Sequence, residues 1–430
     1  MQLKKTYIII SLLLTTQSPC LWATNGYLAH GFGTKSKALA GAGVALPLEG
    51  LSAGTNPALM VGVGNRFEMG LSIFSPRRSY TADDNGSSVP PPLGPATITP
   101  GTYDSDKEYF PIPYITYNKL LNEYSSIGVA ISGNGGMNTE YPTTVFAPFN
   151  NPYGQASSPT GVDLAQIFMG IPYAYKINAQ HTIGIMPIVA VQWFKAYGLA
   201  PFSPFSNAPE SLTNNGYDYS YGGGLRVGWF GELTEQFSVG ASYQSRLYMS
   251  AFDDYKGLFA EQGDFDTPPT FTIGTAFKAT PELTFLLDWQ RIEFSDVAAI
   301  SNASDLTFTF GDTLLGTDNG LGFGWKDTDV IKFGVQWEYN EDWTLRAGYS
   351  HATSVIPSTQ ALFNILAPAT ISQHITFGFS HLLDKQNELN LSFMYAPEKT
   401  INGTNPNTGT QTGSIQLQEY ELELGWSLRF

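Results

Sequence analysis

The chain closes on Tyr420-Glu-Leu-Glu-Leu-Gly-Trp-Ser-Leu-Arg-Phe430, where apolar and polar side chains alternate without a break. Successive side chains of a strand point to opposite faces. Tyr420, Leu422, Leu424, Trp426, Leu428 and Phe430 therefore share one face, with Glu421, Glu423, Gly425, Ser427 and Arg429 opposite. The same dyad fills residues 331–339 and 343–349, separated only by Asn340-Glu341-Asp342, which predicts a tight hairpin. It returns in Phe237, Val239, Ala241, Tyr243, Leu247 and Met249, in Leu283, Phe285, Leu287 and Trp289, in Ile375, Phe377 and Phe379, and in Leu389, Leu391, Phe393 and Tyr395.

Connections alternate in length as well. Short turns are expected near 120–123, 178–180, 231–235, 279–282, 340–342 and 383–387. Long Pro/Gly/Asn/Ser-rich loops are expected at about 77–107, 138–162, 197–216, 251–268, 295–327, 353–369 and 397–415. These turns and loops join fourteen antiparallel strands, with tight turns at one rim and long loops at the other, the organisation of an all-β transmembrane barrel. Eleven residues at about 3.3 Å each, tilted about 45°, rise roughly 26 Å, close to the height of the apolar band in such barrels. The apolar faces then meet lipid, and closure leaves no backbone edge unpaired in hydrocarbon. Trp337, Trp343, Tyr349, Trp426 and Phe430, near strand ends, suit the interfacial girdles.

Composition agrees: charged residues are 14% of the 430, against about 25% in a typical soluble domain, too few to cover a water-facing exterior. The N-terminus carries Lys4 and Lys5, an apolar run through Leu14 and Leu21-Trp22-Ala23, the layout of a secretory signal peptide over 1–23. Its removal also removes Cys20, the single cysteine, so disulfides and Cys–metal sites are not expected in the mature chain. Loss of the two lysines makes the net charge of −15 more negative by two, which argues against nucleic acid as a partner. The most apolar later interval, 38–54, is broken by Pro47 and Glu49 and falls short of the ~20 apolar residues a membrane helix needs.

Residues 24–64 lack the dyad and are rich in small residues. They have two plausible homes, a periplasmic cap or a plug inside a barrel wide enough to need filling. Here the sequence resembles a family. Asn25-Gly26, Gly31-Phe-Gly-Thr34, the Ala/Gly run at 38–45, Asn56-Pro57-Ala58, Gly322-Phe-Gly-Trp-Lys-Asp327, Glu341-Asp-Trp-Thr-Leu-Arg346 with Gly348, and the terminal Phe430 are similar to the FadL family. These are outer-membrane long-chain fatty acid transporters with TodX-type hydrocarbon channels as relatives. The resemblance implies a fourteen-stranded barrel over 65–430, an N-terminal hatch over 24–64 with Asn25, Asn56, Pro57 and Ala58 as hatch or gate residues, and a third strand kinked to open the wall sideways. It also implies a multi-pass protein in the outer membrane of a Gram-negative bacterium.

Several residues stand out as candidate sites. Gly133, Gly135 and Gly136 around Asn134 weaken pairing in the third strand and permit a bulge, where the family resemblance puts the lateral opening. Phe146, Phe149, Tyr153, Phe202 and Phe205 lie on two outer loops, either displayed as a capture groove for a greasy ligand or packed over the barrel mouth. A fatty carboxylate inside the barrel needs a cation. Lys326 matches a family lysine near the head group, while Arg246 and Arg346 fall on the inward phase, where they could instead pair with lumenal acids. The family's second head-group arginine is replaced near Val191 or Gln192, which leaves neutral hydrocarbons open. No HExxH or Gly-x-Ser-x-Gly pattern appears, so neither catalysis nor a cofactor or metal is expected. The expected function is passive uptake of hydrophobic small molecules (fatty acid, hydrocarbon or detergent) by a monomer embedded in outer-membrane lipid. A general porin for polar solutes, then an outer-membrane enzyme, are the alternatives.

Overall fold

The computed structural model describes residues 25–86, 97–305, 311–361 and 363–430, so the expected leader falls outside the described residues. Fourteen strands form one sheet. In the first half, β1 is Arg66–Ala82, β2 Gly101–Asp104 continued by Phe110–Leu120, β3 Ser125–Tyr141, β4 Thr160–Gly170 continued by Tyr173–Lys176, β5 His181–Tyr197, β6 Asp218–Glu232 and β7 Phe237–Gln244 continued by Tyr248–Met249. In the second half, β8 is Thr270–Lys278, β9 Leu283–Ile292, β10 Thr328–Glu338, β11 Trp343–Ala352, β12 Gln373–Leu382, β13 Asn387–Thr404 and β14 Thr412–Arg429. Each pairs antiparallel with the next, and β14 returns to β1 in an unbroken register from Arg66↔Arg429 to Ala82↔Gly413. The ring is closed.

The terminal dyad shows what each face meets. Leu422 and Leu424 are 45% and 49% exposed on the outer face, whereas Glu421 and Glu423 are buried inside. The neighbouring β1 repeats this, with Met69, Leu71 and Ile73 outward and Glu68 and Ser72 inward. An exterior band of Ile, Leu, Val and aromatic residues around a polar interior is the arrangement of a barrel in lipid.

Two departures from the sequence pattern have physical causes. Strands β1, β13 and β14 run past the apolar band, so that the expected 397–415 loop shrinks to the segment between Thr404 and Thr412. Outside the membrane both faces meet water, and the dyad that marks a strand fades while pairing continues. In β7 the dyad does not continue through Met249. The strand breaks after Gln244, and Leu247 and Met249 turn inward while Tyr248 points out.

Residues 25–64 add no strand to the ring. They form short turns and helices such as Thr34–Lys37 and Gly50–Gly54, held by inward side chains from around the barrel. Asp288 of β9 accepts the Gly43 and Val44 N–H groups (2.8 and 2.9 Å), and Glu68 of β1 accepts that of Gly50 (2.6 Å). Thr376 of β12 both accepts from Ala40 N–H and donates to Ala38 O, and Asn118 of β2 donates to Met60 O. On β14, Glu421 and Glu423 hold the Lys37 ammonium at 2.5 and 2.6 Å. A segment this rich in backbone polar groups needs such partners wherever water is excluded.

Candidate functional site

The third strand is kinked where its glycines cluster. Against β4 the register of β3 shifts between Gly133 and Gly135, leaving Asn134 as the extra residue of a bulge. On its other side β3 parts from β2. Their ladder stops at Tyr114↔Ser132, and the strands meet again only where Asp106 N–H donates to Glu140 O (2.8 Å). Between these closures lies a window in the wall.

Both edges of the window limit the number of orphaned backbone groups. Along β2 the edge reads Phe110-Pro111-Ile112-Pro113, and prolines have no N–H to leave unpaired. Along β3 the N-terminal segment substitutes for the missing strand: Ala29 N–H donates to Asn134 O (2.7 Å), and Gly136 N–H donates to Tyr27 O (3.1 Å). The approach is so close that a Cβ on Gly135 would sit 2.0 Å from Tyr27 O. Glycine is required there by space.

A cavity of about 440 Å³ passes through this window. Pro111, Pro113, Ile131 and Ile167 border it on the outer face of the wall, while Tyr27, Leu28, Trp325, Met394 and Leu417 border it inside. Its volume falls within the ~300–1,000 Å³ usual for small-molecule sites, and its lining is mainly apolar with a few polar groups, the usual balance for such pockets. Tyr27 is fixed by aromatic neighbours, its ring centroid lying 5.9 Å from Phe265 and 6.1 Å from both Phe294 and Trp325. At the inner end, His30 stacks on His374 at 5.0 Å, and His374 Nδ1 pairs with Ser350 Oγ at 2.9 Å.

The expected cations are placed elsewhere. Lys326 is exposed on coil before β10 and does not line the cavity; the neighbouring Trp325 takes the inward position, its Nε1–H donating to Asn364 Oδ1. Arg246 sits in the β7 break and is consumed by outer-loop acids, pairing with Asp266 and with Asp264 at 3.1 Å. Burial, then the Asp266 carboxylate, raise the Asp264 carboxyl to about 7. Arg346 does point inward but lies away from the cavity, donating to Gln336 Oε1 (2.8 Å) and Ser380 Oγ (2.6 Å). An inward phase places a side chain inside without saying at what height or with what partner.

The outer-loop aromatics are packed rather than displayed. Phe146, Phe149 and Phe202 are at most 3% exposed, with Phe146 and Phe202 edge to face at 4.9 Å. Phe205 packs partly buried against the same cluster, and only Tyr153 of the five, 81% exposed, is displayed. Burying each Phe stabilises the packing of these loops over the barrel mouth by about 1.5–3 kcal/mol.

Asn56-Pro57-Ala58 is an anchor. Asn56 Oδ1 accepts Ala58 N–H as an N-cap, while its Nδ2 donates to Val44 O and to Trp229 O on β6. Gly184 and Gly228 make room for it, since Cβ atoms there would lie 2.4 Å from Ala58 N and 1.9 Å from Asn56 Oδ1. Asn25 is buried, its carbonyl accepting from Leu28 N–H in the turn that leads to the window. Among the described residues no group of three or more His, Cys, Asp or Glu is placed to hold a metal ion.

Sequence reasoning missed Arg78, Glu419, Tyr27, His30 and the Pro111/Pro113 edge. The signals were present: two prolines in one strand mark an unpaired edge, and Glu419 continues the inward phase of Glu421 and Glu423. Arg78 falls in the 77–107 stretch, whose Pro/Gly/Ser-rich composition predicts a loop, whereas β1 runs through it to Ala82.

A closed fourteen-stranded barrel with a lipid-facing apolar belt, an interior occupied by its own N-terminal segment and a cavity through the wall define an outer-membrane channel protein. Residues 22–423 match the family model for outer membrane protein transport proteins (OMPP1/FadL/TodX), and the chain belongs to that family. It is 22% identical over 338 residues to the long-chain fatty acid transport protein of Shigella flexneri, covering 68% of this chain and 72% of that one. The crystal structure of a Pseudomonas aeruginosa FadL homologue superposes with a TM-score of 0.68 at 14% identity, covering 94% of this chain and all of that one (100%). The P. putida toluene transporter TodX superposes with a TM-score of 0.66 at 18% identity, covering 93% and 99%.

Proposed function

We propose that this protein is a passive outer-membrane channel for hydrophobic small molecules, which enter from the long-loop rim, occupy the cavity and leave sideways into the bilayer between β2 and β3. The observation that carries this reading is the cavity itself, bordered by Ile131 and Ile167 on the lipid side of the wall and by Tyr27 and Met394 within it. An apolar solute moving along that path exchanges one apolar surrounding for another, so no step requires it to be exposed fully to water. Residues 25–64 act as the plug that prevents an open aqueous pore. Relatives named for long-chain fatty acids and for toluene are consistent with an apolar cargo. The protein works as a monomer without cofactor and without catalysis.

The test is Gly133→Leu. A Cβ at Gly133 would meet Ile112 Cγ2 across the window at 2.5 Å, while Gln166 O lies at 3.9 Å, so the added side chain presses first on the opposite edge. Uptake of a radiolabelled hydrophobic substrate by cells should fall at least about tenfold, about 1.4 kcal/mol on the barrier to exit, with folding, read by heat-modifiable mobility, unchanged. Wild-type uptake by a folded Gly133→Leu protein would rule out exit at this point. Steady ion conductance of the wild type in planar bilayers would instead favour a porin.

A further inference from the structure

The cavity is bordered by the charged side chains of Lys37, Arg78, Asp163, Glu419 and Glu421. Three of these are engaged. Lys37 is clasped by Glu421 and Glu423, and Asp163 accepts from Asn138 Nδ2 and Tyr217 Oη and faces Lys195. Arg78 and Glu419 form no ion pair among the described residues. The Arg78 guanidinium donates to Lys107 O (3.0 Å) and lies over the Phe110 ring, 5.6 Å from its centroid. Glu419 is 4% exposed, and its Oε2 is buried without a hydrogen-bond partner.

The two are diagonal neighbours across the closing seam, since Pro76 faces Glu419 and Arg78 faces Leu417. Diagonal positions on one face lie about 7–8 Å apart, within easy reach of two long side chains. Their charges nevertheless stay apart with the cavity beside them. A buried carboxylate oxygen with no donor is costly, and it is retained here next to a guanidinium that still has donors to offer.

We propose that Arg78 and Glu419 form a clamp for a hydroxyl group, so that the preferred ligand of this cavity is an amphiphile carrying an alcohol or phenol on an apolar body. The proposal rests on the cavity being the ligand's path. A hydroxyl both accepts and donates: its oxygen takes an N–H of Arg78 while its proton goes to Glu419, two charge-assisted bonds from one small group. A carboxylate also satisfies Arg78 but sets like charge against Glu419. A bare hydrocarbon satisfies neither and drives out any water that did. Asn138 Oδ1, also at the cavity and without a hydrogen-bond partner, adds a further polar contact for such a head group.

The test uses three ligands with one methylphenyl body, toluene, para-cresol and para-toluate, titrated against the purified full chain in detergent at a pH high enough to ionise the buried Glu419 yet low enough to leave the phenol protonated. Para-cresol should bind roughly tenfold more tightly than para-toluate, the effect of one charge-assisted hydrogen bond, and more tightly still than toluene, which makes neither bond. Glu419→Leu should cut its lead over toluene roughly tenfold, leaving the bond to Arg78. Glu419→Gln keeps the shape, removes the charge and should improve para-toluate by a similar factor, which gives a reading even if the leucine variant does not fold. Equal affinity for para-cresol and toluene in the wild type, a cresol lead over toluene that Glu419→Leu leaves undiminished, or a Glu419→Gln protein with unchanged affinity for para-toluate would overturn the clamp. Binding and exit fail separately. Loss of transport in Gly133→Leu without the cresol preference removes only the clamp, and the preference with normal transport in Gly133→Leu removes only the exit route.

Discussion

The two seams that flank β1 and β2 solve the same problem in opposite ways. Where β14 meets β1, the ladder runs without interruption from Arg66↔Arg429 to Ala82↔Gly413. Where β2 meets β3, it stops at Tyr114↔Ser132, and the wall stays open until Asp106 reaches Glu140. The N-terminal segment is fastened to both sides, by different means. At β14 it is held by side-chain charge, Lys37 between Glu421 and Glu423, with Thr34 Oγ1 donating to Glu423. At β3 it is held by backbone hydrogen bonds through Tyr27 and Ala29. The difference shows how the wall can stay open: the N-terminal segment supplies part of the pairing that the missing neighbour does not.

Breaking the charged side should have the largest effect. Lys37→Met leaves two buried carboxylates without their cation and should destabilise the protein by about 3–5 kcal/mol in guanidinium unfolding. If the loss is under about 1 kcal/mol, the charged anchor is not what seats the segment. Breaking the backbone side comes next. Gly135→Val forces Tyr27 and Leu28 away from β3 and should cost about 1–3 kcal/mol, with faster hydrogen exchange at Ala29 and Gly136 and no change around Lys37. Protection that falls equally on both sides would mean the two attachments are one unit. Gly133→Leu presses on the Ile112 side chain rather than on backbone of the N-terminal segment, so its cost should stay at the low end of overpacking, about 1 kcal/mol, while transport falls. The smallest effects are expected away from both seams. Lys326→Ala and Tyr153→Ala, at exposed positions, should stay within about 0.5 kcal/mol of wild type and leave ligand affinity unchanged within twofold.

Most of the fold could be read from the chain because its signal is local and repeated. Leu422 and Leu424 against Glu421 and Glu423 already state which face meets lipid, and tight turns at Asn340-Glu341-Asp342 and its equivalents set the strand count. The bulge at Gly133–Gly136 was legible for the same reason, three glycines within four residues of one strand. The surroundings of the candidate site residues were not, because they depend on contacts distant in sequence. Arg246 looks like a free lumenal cation until Asp264 and Asp266 fold back onto it, and Phe146 and Phe202 look like a displayed patch until they meet each other. Lys326 shows a different limit: a matching motif places a residue near a site, and one step along the chain Trp325 takes the inward position instead.

Photo-cross-linking tests the lateral route most directly. The protein in lipid bilayers is loaded with a hydrophobic ligand bearing a diazirine on its tail, irradiated while the ligand is in transit, and mapped by mass spectrometry. Exit through the window predicts adducts on Pro111, Ile112, Pro113, Ile131 and Ile167, with those on the outward residues fading in Gly133→Leu while those on Tyr27 and Met394 remain. Adducts that run instead down the inner faces of β10 to β12 to the short-turn rim, with the window residues unlabelled, would contradict lateral exit and place the path through the barrel.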